Sequence, residues 1–228
     1  MNGSTLVDAA ARRTETERRV LVPIDGAVLE GDLTVVEAAR GIVLFAHGSG
    51  SSRFSPRNRR VAETIRAGGT GTFLIDLLTP EEEEEDMRTS ELRFNIPLLA
   101  ERVIHATVWL AEQPETSALR IGLFGASTGA AAALRAAALR PGLVSAVVSR
   151  GGRPDLAREM LAAVRAPTLL IVGSADPLVL ELNRRAAARL QAVHRLEVIP
   201  GAGHLFEEPG ALDRVARLAS EWFDRHLE

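Results

Sequence analysis

Arg120-Ile-Gly-Leu-Phe-Gly-Ala-Ser-Thr-Gly-Ala-Ala-Ala-Ala-Leu134 decides how the rest of the chain is read. Ile121 to Phe124 is a short apolar run of the kind that forms a strand covered on both faces. The alanines after Gly129 favour a helix. Between them lies Gly125-Ala126-Ser127-Thr128-Gly129, a G-x-S-x-G turn from strand to helix. So tight a turn has no space for side chains at its flanks, which the glycines Gly125 and Gly129 respect. It exposes the hydroxyl of Ser127 and aims the following amide N–H groups at whatever sits above. The plain alternative is a Gly/Ser turn before an ordinary helix, and the remaining chain has to decide between the two.

Composition sets the outer limits. A chain of 228 residues with 46% apolar and 25% charged side chains is long enough to bury a sizeable core. Its net charge of -3 argues against a general nucleic-acid binder, which needs a basic surface. With no cysteine, disulfides, a thiolate nucleophile and cysteine-based metal sites are excluded. Met1 to Asp8 lacks a basic stretch followed by an apolar core, and Ile121 to Leu134 is too short to span a bilayer. The expectation is a soluble cytoplasmic protein, monomer or homodimer, without membrane or nucleic-acid partners.

From residue 41 onward, apolar runs alternate with helical segments. Gly41 to Ala46, Gly71 to Asp76, Arg120 to Phe124, Leu143 to Val148, Thr168 to Val172 and Arg195 to Ile199 read as strands. Ser55-Pro56 opens a helix to about Ala67. Further helices are expected over Ser90 to Gln113, the elbow helix to Leu139, Asp155 to Val164, Leu178 to Gln191 and Pro209 to His226. Arg19 to Ile24 and Ala27 to Val36 form a hairpin turning at Asp25-Gly26. Residues 1 to 18 are read as a flexible arm, and 19 to 228 as one α/β domain. Glu81 to Asp86 reads as a solvated acidic loop; no metal site is assigned there, because adjacent glutamates repel unless a fold gathers them.

In an open parallel sheet, sites form beyond the C-terminal strand ends. The polar residues there are His47 and the glycines after it, Asp76, Ser127, Ser149-Arg150, Asp176 and His204. Three of these supply a nucleophile, an acid and a base, in the order Ser127, Asp176, His204. A serine hydroxyl is a poor nucleophile at neutral pH and needs an imidazole to take its proton and return it to the leaving group. His204, in the Gly-rich loop Pro200-Gly-Ala-Gly-His204, is free to reach Ser127. Asp176 would fix the imidazole tautomer. Each has a plain reading too: Asp176 as a helix cap, His204 as a loop histidine. The competing bases are poorly placed, His105 within a helix, His194 at a strand start and His226 at the terminus. For the oxyanion of a tetrahedral intermediate, the donors expected are the backbone N–H groups of Thr128 and Ser49. His47 reads as a brace for that loop.

His47-Gly-Ser-Gly-Ser51, Gly125-Ala-Ser-Thr-Gly129, Gly173-Ser-Ala-Asp176 and Pro200-Gly-Ala-Gly-His204 together resemble α/β-hydrolases of the dienelactone hydrolase-like family, from about Val20 to the C-terminus. The resemblance implies an α/β-hydrolase fold: a mostly parallel, twisted sheet of about seven to eight strands, with helices on both faces and a minimal lid. It also implies cofactor-free hydrolysis of small esters, lactones or thioesters, without a metal. Dienelactone hydrolases proper use a cysteine nucleophile, whereas this chain has Ser127, so a serine esterase fits better than dienelactone cleavage. Some relatives are joined to a phosphoribosyltransferase domain, and no segment of these residues reads as one.

Arg53, Arg150 and Arg153 border the expected site as candidate substrate-binding residues for a carboxylate or phosphate. The alternative is that they pair with nearby carboxylates and only order loops. Two rival functions remain open. One is acyl transfer or perhydrolysis on the same triad. The other is a ligand-binding protein of the same fold with little turnover. Dehalogenase and epoxide hydrolase chemistry would need an aspartate in place of Ser127.

Overall fold

The computed structural model describes residues 14–228. Eight strands form a single sheet in the order β1-β2-β4-β3-β5-β6-β7-β8. They are β1 (Glu15–Ile24), β2 (Ala27–Val36), β3 (Gly41–Ala46), β4 (Gly71–Ile75), β5 (Arg120–Ala126), β6 (Val144–Arg150), β7 (Thr168–Gly173) and β8 (His194–Ile199). β1 and β2 are antiparallel to their neighbours, and every pairing from β4 across to β8 is parallel. The hairpin turns at Gly26 (φ 74°), as the Asp-Gly signal predicts.

Residues 1 to 13 of the expected arm lie outside the described residues. Glu15 to Arg18 do not belong to an arm: they extend β1, paired by backbone to Leu33 through Val36. Their side chains are all exposed, so this edge carries no alternation for sequence reading to detect.

Strand alternation splits the core in two. Ile42, Leu44, Leu123, Val147 and Leu170 face the helices α3 (Ile96–Glu112) and α4 (Thr128–Leu139). Val43, Phe45, Phe124, Val148 and Ile171 face α1 (Pro56–Ala67) and α6 (Ala211–His226). Phe45 and Phe124, neighbours on β3 and β5, stack with ring centroids 4.8 Å apart, and burying each stabilises the fold by about 2–3 kcal/mol. Among the described residues, no helix is long and apolar enough to cross a membrane.

Two expectations change. The acidic run is not a loop but the helix α2 (Pro80–Thr89). Thr79 and Glu82 close a capping box, the three glutamates of the first turn suit the positive helix N-terminus, and Arg102 pairs with Glu82 at 2.6 Å. The segment Pro154–Ala163, read as a helix, is a 3-10 run broken at Arg158 (φ 53°). The remaining helix, α5 (Pro177–Ala187), begins directly at Asp176.

Candidate active site

Ser127 sits at the apex between β5 and α4 with φ 50° and ψ -121°, a conformation that costs a non-glycine residue about 1–3 kcal/mol. Close packing enforces it. A Cβ on Gly125 would lie 2.4 Å from Ala130 Cα, and one on Gly129 would lie 2.2 Å from the Ala46 carbonyl oxygen. Alanines then let α4 settle onto the sheet: Ala130 to Ala133, Ala136 and Ala137 are all buried.

Asp176 follows β7 and uses both carboxylate oxygens. Oδ1 accepts from the Val179 N–H at 3.4 Å, capping α5. Oδ2 lies 2.7 Å from Nδ1 of His204, in the loop after β8. Both readings of Asp176 hold at once. An Nδ1–H donated to this carboxylate leaves Nε2 bare to accept a proton. The histidine loop rests on the strand beside the elbow. A Cβ on Gly151 would sit 3.6 Å from His204 Nδ1. Its neighbour Arg150 receives the Ser127 N–H on its carbonyl at 3.2 Å, and the Arg153 N–H donates to the Ser127 carbonyl at 3.0 Å. Ser127, Asp176 and His204 thus follow the C-terminal ends of β5, β7 and β8, with the His204 loop against Gly151 beside the elbow.

The loop after β3 closes the site from the other side. A Cβ on Gly48 would lie 3.0 Å from Ser127 Cβ, so the loop packs against Ser127. His47 is buried and uses both ring nitrogens, Nδ1 with the Gly48 carbonyl and Nε2 with the Leu77 N–H, each at 3.0 Å. Burial holds its pKa below the usual imidazole value, which suits a neutral ring with Nδ1–H donating and Nε2 accepting. The Ser49 N–H does not stand free: it donates to the Thr128 hydroxyl at 2.9 Å. Sequence reading named both residues but missed this bond, for which the hydroxyl next to Ser127 was the only signal. A cavity of about 290 Å³ adjoins this loop, between Gly48–Ser52, Leu77, Leu78, Met87 and Leu99.

The three candidate arginines fare differently. Arg53 is 7% exposed and sits among Asp76, Glu30 (2.5 Å) and Asp32 (3.6 Å). Arg153 is bidentate to Asp155 at 2.8 and 2.9 Å. Arg150 lies not in a loop but at the end of β6, where it is buried and its Nε and Nη1 lack hydrogen-bond partners among the described residues.

Residues 35–228 match the sequence model of the Dienelactone hydrolase family. The solved structure of a dienelactone hydrolase from Anabaena variabilis is 58% identical, with a TM-score of 0.93 over 94% of this chain and 99% of that one. A Mycobacterium tuberculosis (strain H37Rv) protein, named provisionally as a phosphoribosyl transferase, is 56% identical over 97% of this chain and 49% of its own length. The chain thus spans about half the length of the curated relatives it matches. Est1E from Butyrivibrio proteoclasticus, at 15% identity and a TM-score of 0.77 over 91% of this chain and 98% of that one, shares the fold.

Proposed function

The chain belongs to the dienelactone hydrolase family, and from that premise we propose that it hydrolyses small carboxylic esters, lactones or thioesters through an acyl-enzyme on Ser127. The observation that carries this reading is the 2.7 Å contact between His204 Nδ1 and Asp176, over an elbow that holds Ser127 at positive φ. His204 Nε2 takes the hydroxyl proton as Ser127 Oγ attacks the carbonyl carbon, and returns it to the departing alcohol, thiol or ring oxygen. Water then attacks the acyl-enzyme by the same route. Asp176 stabilises the imidazolium formed in each half-reaction.

The oxyanion is held by the Thr128 N–H at the start of α4. The Ser49 N–H, by donating to Thr128 Oγ1, leaves that hydroxyl its own proton to give, so the second donor is the Ser49–Thr128 pair acting as a unit. The cavity beside Gly48 to Ser52 takes one arm of a small substrate. The activity for which the Mycobacterium relative is named is not carried over, because the matched region is less than half of that protein.

Intact mass after exposure to a fluorophosphonate tests the reading without knowledge of the substrate. One adduct on the wild type and none on Ser127→Ala is expected. An unmodified wild type, with no turnover of activated esters, would overturn it. Product analysis with added alcohol or peroxide separates hydrolysis from acyl transfer or perhydrolysis.

A further inference from the structure

The chain from Arg150 to Arg153, which leads out of β6, is touched by both halves of the site. Ser127 holds it twice: its N–H donates to the Arg150 carbonyl at 3.2 Å, and its carbonyl accepts the Arg153 N–H at 3.0 Å. The His204 loop lies against Gly151, where a Cβ would come within 3.1 Å of the His204 carbonyl oxygen. The position of this turn therefore sets how the loop that carries His204 stands to the backbone that carries Ser127. Little inside the turn fixes it. Gly151 has φ 50°, and neither it nor Gly152 has a side chain to restrict the backbone. The restraints come from outside. The Gly151 N–H donates to the Ile171 carbonyl of β7 at 2.8 Å, and the Gly152 carbonyl accepts from the side chain of Asn183, on α5, at 2.9 Å.

By local rules the position of Asn183 suits an apolar side chain. It shares the buried face of α5 with Val179, Leu180 and Ala186, and it is 0% exposed. Asparagine is a weaker helix former than leucine, and its Oδ1 is buried without a partner among the described residues, which costs stability. In return the amide makes two bonds. Nδ2 donates to the Gly152 carbonyl and, at 2.8 Å, to the Val179 carbonyl. Both partners only accept, which fixes the NH₂ as the end that faces them. Val179 is also the residue whose N–H is capped by Asp176. One buried amide thus joins the first turn of the helix that begins at Asp176 to the turn on which Ser127 and His204 rest.

We propose that Asn183 is a positioning residue for the triad: it locks the Gly152 turn to the helix that begins at Asp176 and so holds acid, base and nucleophile in register. The kinetic half of its test rests on the ester hydrolase reading. A side chain that merely filled the core could be exchanged for leucine, of similar size, without loss of rate.

Asn183→Leu removes both bonds. Asn183→Ser drops only the one to Gly152, because a helical serine hydroxyl can still donate to the carbonyl four residues back, here Val179. Each variant should lower kcat for p-nitrophenyl acetate by roughly 10- to 100-fold, the loss that follows a displacement of about 1 Å or less. KM should change by less than about threefold, and the rate of fluorophosphonate labelling should fall in step with kcat. Thr116→Val is the control. The Thr116 hydroxyl is equally buried and donates to the Leu110 carbonyl at 2.6 Å, but it precedes β5, at the opposite end of the strands. Its loss should lower the melting temperature, as in the Asn183 variants, and leave kcat as it was. Wild-type kcat in a folded Asn183→Leu or Asn183→Ser enzyme would overturn the proposal, and so would an equal loss of rate in Thr116→Val. Asn183→Ser decides alone if Asn183→Leu does not fold.

Proton NMR reads the same geometry without turnover. The Nδ1 proton of His204, directed at Asp176 across 2.7 Å, should resonate at low field. It should shift or broaden in the Asn183 variants and stay in place in Thr116→Val. A resonance unmoved by the loss of Asn183 would overturn the positioning role even if the esterase is active. A wild type that neither turns over esters nor takes the label, but whose His204 resonance responds to Asn183, would remove the catalytic reading and leave the positioning role standing.

Discussion

Asp176→Asn separates the two tasks of one carboxylate. The amide oxygen can take over the capping bond from the Val179 N–H, and asparagine is as good an N-cap as aspartate. The other position, 2.7 Å from His204 Nδ1, then carries an NH₂ group. A donor there forces Nδ1 to become an acceptor and moves the ring proton to Nε2, the nitrogen that takes the proton of Ser127 in the proposed mechanism. The serine-protease precedent for this tautomer error is a loss of about 10⁴ in kcat, or roughly 5.4 kcal/mol. Stability should change by less than about 0.5 kcal/mol, a melting shift of at most about 2 °C for a chain of this size. Asp176→Ala provides the contrast, with the same catalytic loss and a further destabilisation of about 0.5–1 kcal/mol from the missing cap. Steady-state turnover of p-nitrophenyl acetate and thermal unfolding measure the two effects separately. A folded Asp176→Asn enzyme within tenfold of the wild type would refute the role given to Asp176 and, with it, the tautomer assigned to His204.

Thr128→Val should lower kcat by about tenfold or more without changing the fluorophosphonate target, whereas Thr128→Ser should keep most of the rate; equal rates in the two variants would remove the hydroxyl from the oxyanion site. Gly129→Ala places a methyl group against the Ala46 and His47 carbonyls and should cost about 3 kcal/mol or prevent folding, as read from the urea midpoint. The native state binds fewer protons at His47 than the unfolded chain does. Its contribution is therefore complete above about pH 6.5 and is lost as the pH falls towards the depressed native pKa. His226, lowered by burial and by Arg225, acts in the same direction. Melting temperature between about pH 5 and 8 should thus rise with pH, and His47→Gln should flatten part of that slope; an unchanged slope would exclude His47. Arg53→Met leaves Asp76 and Glu30 uncompensated and should cost about 3 kcal/mol, as read from the urea midpoint.

The parallel sheet, the elbow and the placement of Asp176 and His204 past strand ends were legible in the sequence because each rests on local signals. Apolar runs mark strands covered on both faces, the two glycines mark the turn, and Asp176 and His204 stand just past successive strand ends. Helix α2 was legible as well, through Thr79-Pro80-Glu81-Glu82, but the weight of six consecutive acids hid the capping box. The break at Arg158 has no local marker, since arginine gives no sign that it will adopt positive φ. Nor could the fate of the arginines be read. Arg53 finds its carboxylates on β2 and after β4, Arg153 finds its own two residues away, and Arg150 finds none among the described residues. Such pairings depend on which strands become neighbours, and that is a property of the fold rather than of any segment.

The alanine lining of α4 bears on how this protein can change over generations. Its helix meets the sheet through methyl groups and backbone, with Gly125 and Gly129 already at contact distance. Enlarging a residue there overfills a space with no give, and there is almost nothing to trim. New substrate preferences can therefore hardly arise from the scaffold that aims Ser127. They are free to arise in α2, in the broken run Pro154–Ala163 and at the start of α1, where side chains can be exchanged without moving Ser127. A directed library for altered substrate scope would vary those three segments and leave the elbow helix alone.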